Sequence, residues 1–325
     1  MDILKAPDNA CCAPTSSRPG DGATVSQVVP AAAEPRDHTL ARMVVLPGGT
    51  FLMGTDDPEG FPQDGEGPVR PVTIDPFLID IYPVANELFD KFVCDTGYKT
   101  EAERHGWSFV FWSHIPKARF SAIVEDTVAA APWWCKVPGA RWNAPEGPGS
   151  DISKRGDHPV VHVTWNDAQS FCAWSGQSLP TEAQWEYAAR GGLEQKTYPW
   201  GDKLRPNGKH RRNIWQGEFP KLDTGDDGYT GTSPVEAFPP NEFGLYSVTG
   251  NAWEWCEDWF SAEFHRNADQ VSPHGPPVGN ARVMKGGSFL CHKSYCNRYR
   301  VGARSSNTPD SSSSNIGFRC VRAQP

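Results

Sequence analysis

Apolar residues recur at helical spacing in only three places along this chain. Leu88, Phe89, Phe92 and Val93 share one face of a predicted helix that Gly97 stops. Ala168, Phe171 and Cys172 mark a second, with Asn166 as its expected cap and Gly176 as its end. The third opens on Thr181-Glu182-Ala183-Gln184, a capping-box pattern. There the Thr181 hydroxyl accepts from the Gln184 backbone N–H while the Gln184 side chain reaches back, and Gly191-Gly192 closes the helix. Elsewhere short apolar runs alternate with turn residues. Met43 to Gly54 reads as two short strands around Pro47-Gly48-Gly49, for which a hairpin is the simplest account. Gly286 to Leu290 echoes that turn-plus-strand pattern, an echo too short to count as a repeat. Beyond Trp200 the chain is mostly short strands and turns. The expected class is therefore α+β with long irregular connections.

Composition narrows this picture. Among 325 residues, 31 Gly and 30 Pro raise the turn content, while 38% hydrophobic residues still supply a sizeable core. A formal net charge of −8 argues against nucleic-acid binding or docking on anionic lipid, because both need surplus basic side chains. No apolar run approaches the roughly 18 residues needed to span a bilayer. From Ala41 onward there is no Gly/Ser linker, charge block or long-period repeat, so one domain over 41–325 is expected. Residues 1–40 read as a disordered, dispensable tail; they lack the apolar core of a secretory signal. A reducing cytoplasm is then the expected location, and the nine Cys are not by default a disulfide framework. Their odd number leaves at least one thiol free or metal-bound.

Nucleotide-binding glycine loops, His-Glu-x-x-His and Gly-x-Ser-x-Gly are all missing from the sequence. His158 and His162 stand four apart, but Pro159, Val160 and Val161 favour an extended segment, so both are read as structural. The most informative local feature is Cys291-His292-Lys293-Ser294-Tyr295-Cys296. Two thiols in a basic, aromatic setting can share a soft metal ion, form a disulfide or never meet, and spacing alone leaves all three open. Asp223-Thr224-Gly225-Asp226-Asp227-Gly228-Tyr229 is either a calcium loop or an exposed acidic turn. It is not an EF-hand, since Pro234 stands where the closing Glu belongs.

The run from Arg282 to Arg300, followed by Ala303-Arg304-Ser305 and Asn307 to Cys320, resembles the carboxy-terminal signature of the formylglycine-generating enzymes. Ala131 to Trp134, His158 to Ala168, Leu179 to Gly192, Asn213 to Pro220 and Gly250 to Trp255 are similar to the same family, so the resemblance covers about residues 41–325. It implies a single C-type-lectin-like, sulfatase-modifying domain with little regular secondary structure. It also implies a copper(I) oxidase that uses dioxygen and a thiol reductant to convert the cysteine of Cys-x-Pro-x-Arg in an unfolded sulfatase to formylglycine. By the same resemblance Cys291 and Cys296 are the copper ligands, Ser288 and Tyr295 line the site, and Asn315 shapes the substrate groove. Two calcium sites are implied. The first uses Asn213, Ile214, Asp227 and Tyr229; the second uses Ser247, Gly250, Ala252 and Glu254, with Ser247 replacing the family's Asn.

Secreted vertebrate members carry two structural disulfides. Cys172 and Cys320 match one pair, whereas Ala189 and Val301 occupy the positions of the other, as expected of a bacterial-type, cytoplasmic monomer. Cys12-Ala13-Pro14-Thr15-Ser16 resembles the substrate motif, but Ser16 stands where Arg is required, so it is assigned to the tail, with copper capture by Cys11-Cys12 as a minor reading. Two other classes of relative remain as alternatives: iron-dependent sulfoxide-forming enzymes, which use a His cluster and an extra helical domain, and binding modules without a metal.

Overall fold

The computed structural model describes residues 13–16 and 42–324. All three predicted helices are present, as Asn86–Thr96, Trp165–Ser175 and Glu182–Arg190, and each ends on a glycine in the left-handed region. The Thr181 capping box forms: Gln184 N–H donates to Thr181 Oγ1 at 3.1 Å, and Thr181 N–H to Gln184 Oε1 at 3.0 Å. The second helix starts earlier than expected. Its cap is Thr164, not Asn166, because Asp167 completes a box with Thr164 and also receives Tyr98 Oη and Glu101 N–H. The Asn166 amide is thereby left to donate to Glu101.

The expected hairpin over Met43 to Gly54 does not form. Strand β1 (Met43–Leu46) pairs with β4 (Phe77–Asp80), whereas β2 (Gly49–Met53) pairs with β3 (Arg70–Ile74). The backbone of Gly48 lies against the Ile74–Asp75 corner so closely that a Cβ there would sit 2.4 Å from the Ile74 carbonyl. The Pro-Gly-Gly corner therefore carries the chain from one sheet to the next. β5 (Trp107–Phe111), β6 (Asp126–Val128) and β7 (Ala131–Pro138) form a sheet in the order β5-β7-β6, and β8 (Gly217–Glu218) pairs with β9 (Leu222–Asp223).

The sheet that positions the site contains β10 (Trp253–Trp259), β11 (Arg282–Lys285), β12 (Arg304–Asn307) and β13 (Ile316–Gly317), in the order β12-β11-β10-β13. β14 (Val321–Ala323) then joins the free edge of β4. With so few ladders, buried ion pairs hold the connections. Arg298 pairs with Asp64, Arg300 with Glu66, Arg304 with Glu182, and Arg319 with Glu254. Lys285 pairs with Glu186 at 3.0 Å. Burial pushes the Glu186 carboxyl up, but Lys285 and Arg190 more than reverse this and hold it ionised. Among the described residues no helix is long and apolar enough to cross a membrane.

Residues 13–16 differ from the expected disordered tail. Ala13 and Ser16 are buried, and Ser16 N–H donates to Ser311 Oγ at 2.9 Å. A small residue followed by Pro gives the segment little entropy to lose on docking. The rest of the expected tail, with Cys11 and Cys12, lies outside the described residues.

Candidate active site at the Cys291 and Cys296 thiols

After β11 the chain turns through Gly286 and Gly287, at φ of 89° and 74°. A Cβ on Gly286 would lie 2.9 Å from the Val248 carbonyl, so only glycine permits this corner. The turn sends Ser288–Cys296 inward. Cys291 N–H donates to the Ser288 carbonyl at 2.9 Å, and Cys296 N–H to the His292 carbonyl at 2.9 Å. These two tight turns bring the sulfurs within 3.0 Å of each other, both of them buried. At that separation they are not bonded to each other, since a disulfide is about 2.05 Å long.

Three of the other expected residues gather around the pair. Ser288 N–H points at Cys291 Sγ at 3.4 Å, and the Ser288 hydroxyl accepts from Asn315 Nδ2 at 2.9 Å. Asn315 is in turn fixed by Ser313 Oγ, which donates to its Oδ1 at 2.7 Å, and by its carbonyl, which accepts from Trp253 N–H. The Tyr295 ring stacks on Phe219 at 4.5 Å and meets Trp133 edge-on at 5.1 Å. Tyr295 also packs against the buried cluster that contains both thiols.

Arg212 escapes sequence reasoning, whereas the structural reading of His162 acquires a definite role. Arg212 is buried, with its guanidinium 4.3 Å from the Tyr198 and Tyr299 ring centres. Burial lowers it to about 10, against the opposing pull of the two tyrosines and the Cys291 sulfur. It remains a fixed cation beside the thiols. His162, at 0% exposure, donates or accepts through Nδ1 with Ser108 Oγ at 2.8 Å, and Ser108 Oγ also donates to the Ser312 carbonyl. His162 N–H donates to the Ser313 carbonyl at 2.9 Å. The histidine thus braces the Ser311–Asn315 loop, and His158 is tied separately to Thr232 Oγ1. Neither ring faces a cluster of metal-binding side chains among the described residues. No motif marks these positions, because single side chains recruited from distant loops carry no spacing.

A cleft of about 320 Å³ opens beside Phe289 and Ser314, the sequence neighbours of Ser288 and Asn315. His114 stacks on Phe289 at its wall, and Glu146 forks to Arg155 at 2.6 and 2.9 Å. Burial lowers the His114 pKa, so that ring is neutral at physiological pH.

The first expected calcium set is brought together on adjoining loops. Ile214 N–H donates to Asp227 Oδ2 and Tyr229 N–H to Asp227 Oδ1, each at 3.0 Å. Gln216, absent from the expected set, lies between them, with its amide on Asp227 and on the Ile214 carbonyl. The Asn213 amide donates to the Gly231 carbonyl at 2.7 Å. Carboxylate, amide and carbonyl oxygens suit a hard cation. In the second set Ser247 Oγ donates to the Val235 carbonyl. Glu254 already accepts two 2.7 Å bonds from Arg319 and one from Trp185 Nε1, so its charge is compensated without a metal. Cys172 and Cys320 face each other, buried, with their sulfurs 3.6 Å apart as free thiols.

The family model described as "Sulfatase-modifying factor enzyme 1-like domain" matches residues 29–324. The chain belongs to this family. It is 62% identical over 282 residues to the formylglycine-generating enzyme of Thermomonospora curvata, covering 86% of this chain and 92% of that one. A mouse relative named inactive C-alpha-formylglycine-generating enzyme 2 is 50% identical over 283 residues, covering 86% and 85%. Among solved structures, PvdO from Pseudomonas aeruginosa matches with a TM-score of 0.62 at 26% identity, over 87% of this chain and 94% of that one. The family's mixed α+β fold, poor in regular structure, is the one expected from the sequence.

Proposed function

We propose that this chain is a formylglycine-generating oxidase that matures sulfatases, and that Cys291 and Cys296 hold copper(I). The observation that carries the reading is the buried pair of cysteine sulfurs 3.0 Å apart, with Ser288, Asn315 and Tyr295 around it, in a chain similar to enzymes of that name. Whole-chain similarity alone does not decide activity, since a relative named inactive is also half identical.

Two soft sulfurs fit a soft monovalent ion. Bound there, copper(I) supplies the one-electron chemistry with dioxygen that side chains lack. In the overall reaction, one client cysteine, one dioxygen and two reductant thiols give one aldehyde, one hydrogen sulfide, one water and one disulfide. Oxygen is reduced, and the client cysteine and the thiol reductant are oxidised.

The chain's own residues position these reactants. Arg212 offers a buried positive charge to the sulfur site, and Tyr295, Phe219 and Trp133 exclude bulk water from one side. The Ser288 hydroxyl, held by Asn315, would orient a water at the client's β-carbon. The client is an extended, unfolded peptide, because a short motif is readable only before its protein folds. Calcium at Asn213, Ile214, Asp227 and Tyr229 would stiffen the loop that also carries Arg212. At Ser247, Gly250, Ala252 and Glu254 it would rest mainly on carbonyls. A reducing, cytoplasmic setting is one in which Cys172 and Cys320 would remain thiols.

The test is incubation of the copper-loaded protein with a Cys-x-Pro-x-Arg peptide, a thiol reductant and air, read by mass spectrometry for the aldehyde. Unchanged peptide from folded, copper-loaded protein refutes the reading and leaves a binding module. Activity restored by iron and not by copper would favour the iron-dependent alternative.

A further inference from the structure

Four residues distant in sequence, Ala13-Pro14-Thr15-Ser16, are seated against the Asn307–Ser311 segment, which leads to Asn315 of the expected substrate groove. Ser16 N–H donates to Ser311 Oγ at 2.9 Å, and Ser16 Oγ reaches the Asp310 carbonyl at 3.3 Å and Ser311 Oγ at 3.2 Å. The Pro14 carbonyl accepts from Asn307 Nδ2 at 3.1 Å. Ala13 is 2% exposed and belongs to the same buried apolar cluster as Cys291 and Cys296. The wall leads to the reactive centre, since Ser311 begins the run whose last residue, Asn315, bonds Ser288.

We infer that this segment is a tethered pseudosubstrate: it occupies the groove that receives the client peptide, and a client must displace it. The inference rests on the proposed function, which supplies the nature of the client. In sequence, Cys12-Ala13-Pro14-Thr15-Ser16 reproduces Cys-x-Pro-x and puts Ser in place of the final Arg. Two of the contacts use backbone atoms, the Pro14 carbonyl and the Ser16 N–H, which any extended peptide presents. A client with Arg at the fifth position can form those contacts and add a charged one. The internal segment cannot add it and is displaceable. Because it belongs to the same chain, it competes with the client as an intramolecular ligand, which lets a weak segment suffice. The consequence is a threshold: short peptides that lack Arg fail to enter, and thiols without the motif are kept from the copper site.

Two full-length variants test this. Ala13→Glu puts a charge where an apolar cluster must close, and Ser16→Pro removes the N–H that Ser311 receives. Binding of a fluorescent Ser-x-Pro-x-Arg peptide is followed by anisotropy, and conversion of the Cys peptide by mass spectrometry. Both variants should lower the peptide Kd and KM at least threefold with kcat unchanged. A synthetic peptide of residues 8–20 added in trans should compete on the variants more strongly than on the wild type. Equal Kd and KM in wild type and both variants, with turnover intact, overturns this inference alone. If no Cys-x-Pro-x-Arg peptide is bound or converted by any of the three proteins, the functional reading itself fails and this inference falls with it.

Discussion

Lowering the pH should weaken the loop that carries Asn315 through a single imidazole. His162 is fully buried, and desolvation lowers its pKa from 6.5 to about 4, only partly offset by Glu146 and the Pro145 carbonyl. A folded value below the unfolded one means that the unfolded chain binds the extra proton. The neutral ring's stabilisation is therefore complete above about 6.5 and is lost as the pH falls toward about 4. Going from roughly pH 7 to pH 5, the two titration curves give a loss of about 2 kcal/mol. The wild-type profile alone does not report this. Asp80, raised to about 7 by burial, works in the opposite sense: its contribution is present at low pH and fades as the pH rises through about 7. His265, lowered to about 4, adds to the acid loss. The informative quantity is the difference between wild type and His162→Gln, whose amide stays neutral and can still bond Ser108. Urea unfolding at both pH values should show the variant gaining about 2 kcal/mol relative to wild type on acidification. A difference that does not change with pH would refute the argument and mean that water or Glu146 compensates the charged ring.

Three further outcomes are expected. Cys296→Ser should abolish both turnover and tight copper(I) binding, measured by competition with a copper(I) chelator, whereas Cys94→Ala on the surface should alter neither. Asp227→Ala leaves the Ile214 and Tyr229 N–H groups without their acceptor. It should lower stability by about 1–3 kcal/mol and eliminate any rise of Tm with added calcium, leaving copper binding intact. Asn315→Ala frees the Ser288 hydroxyl and should reduce kcat by about tenfold, equivalent to about 1.4 kcal/mol, while copper affinity is retained.

The sequence was most legible where one short segment contains its own explanation. Thr181 and Gln184 form their box unaided, and Gly97, Gly176 and Gly191 end helices because a side chain is strained at those φ angles. Reading failed where the partner lies elsewhere. Thr164 outcompetes Asn166 as a cap because Asp167 is also claimed by Tyr98 and Glu101 from a preceding loop. β1 and β2 read as a hairpin, yet each finds its partner in the strands between Arg70 and Asp80. At the site, the Cys291 and Cys296 spacing is visible, whereas Arg212, Gln216 and the His162 brace are single residues without a period. Ala13–Ser16 was hidden for another reason. Composition describes a segment unable to build a core, but says nothing of one that borrows a core already built.

The four arginine clamps carry a consequence for how the chain comes to be made. Arg298 and Arg300 reach carboxylates 234 residues earlier, Arg304 one 122 earlier, and Arg319 one 65 earlier. On a ribosome, Asp64, Glu66, Glu182 and Glu254 all emerge well before the cations that make their burial tolerable. A native interior is then unattainable until Arg319 has been added, and closure is a long-range event of the kind that folds slowly. The thiols at 291 and 296 directly precede these arginines, so a chain without its clamps has no finished sulfur site and cannot act as a half-working oxidant.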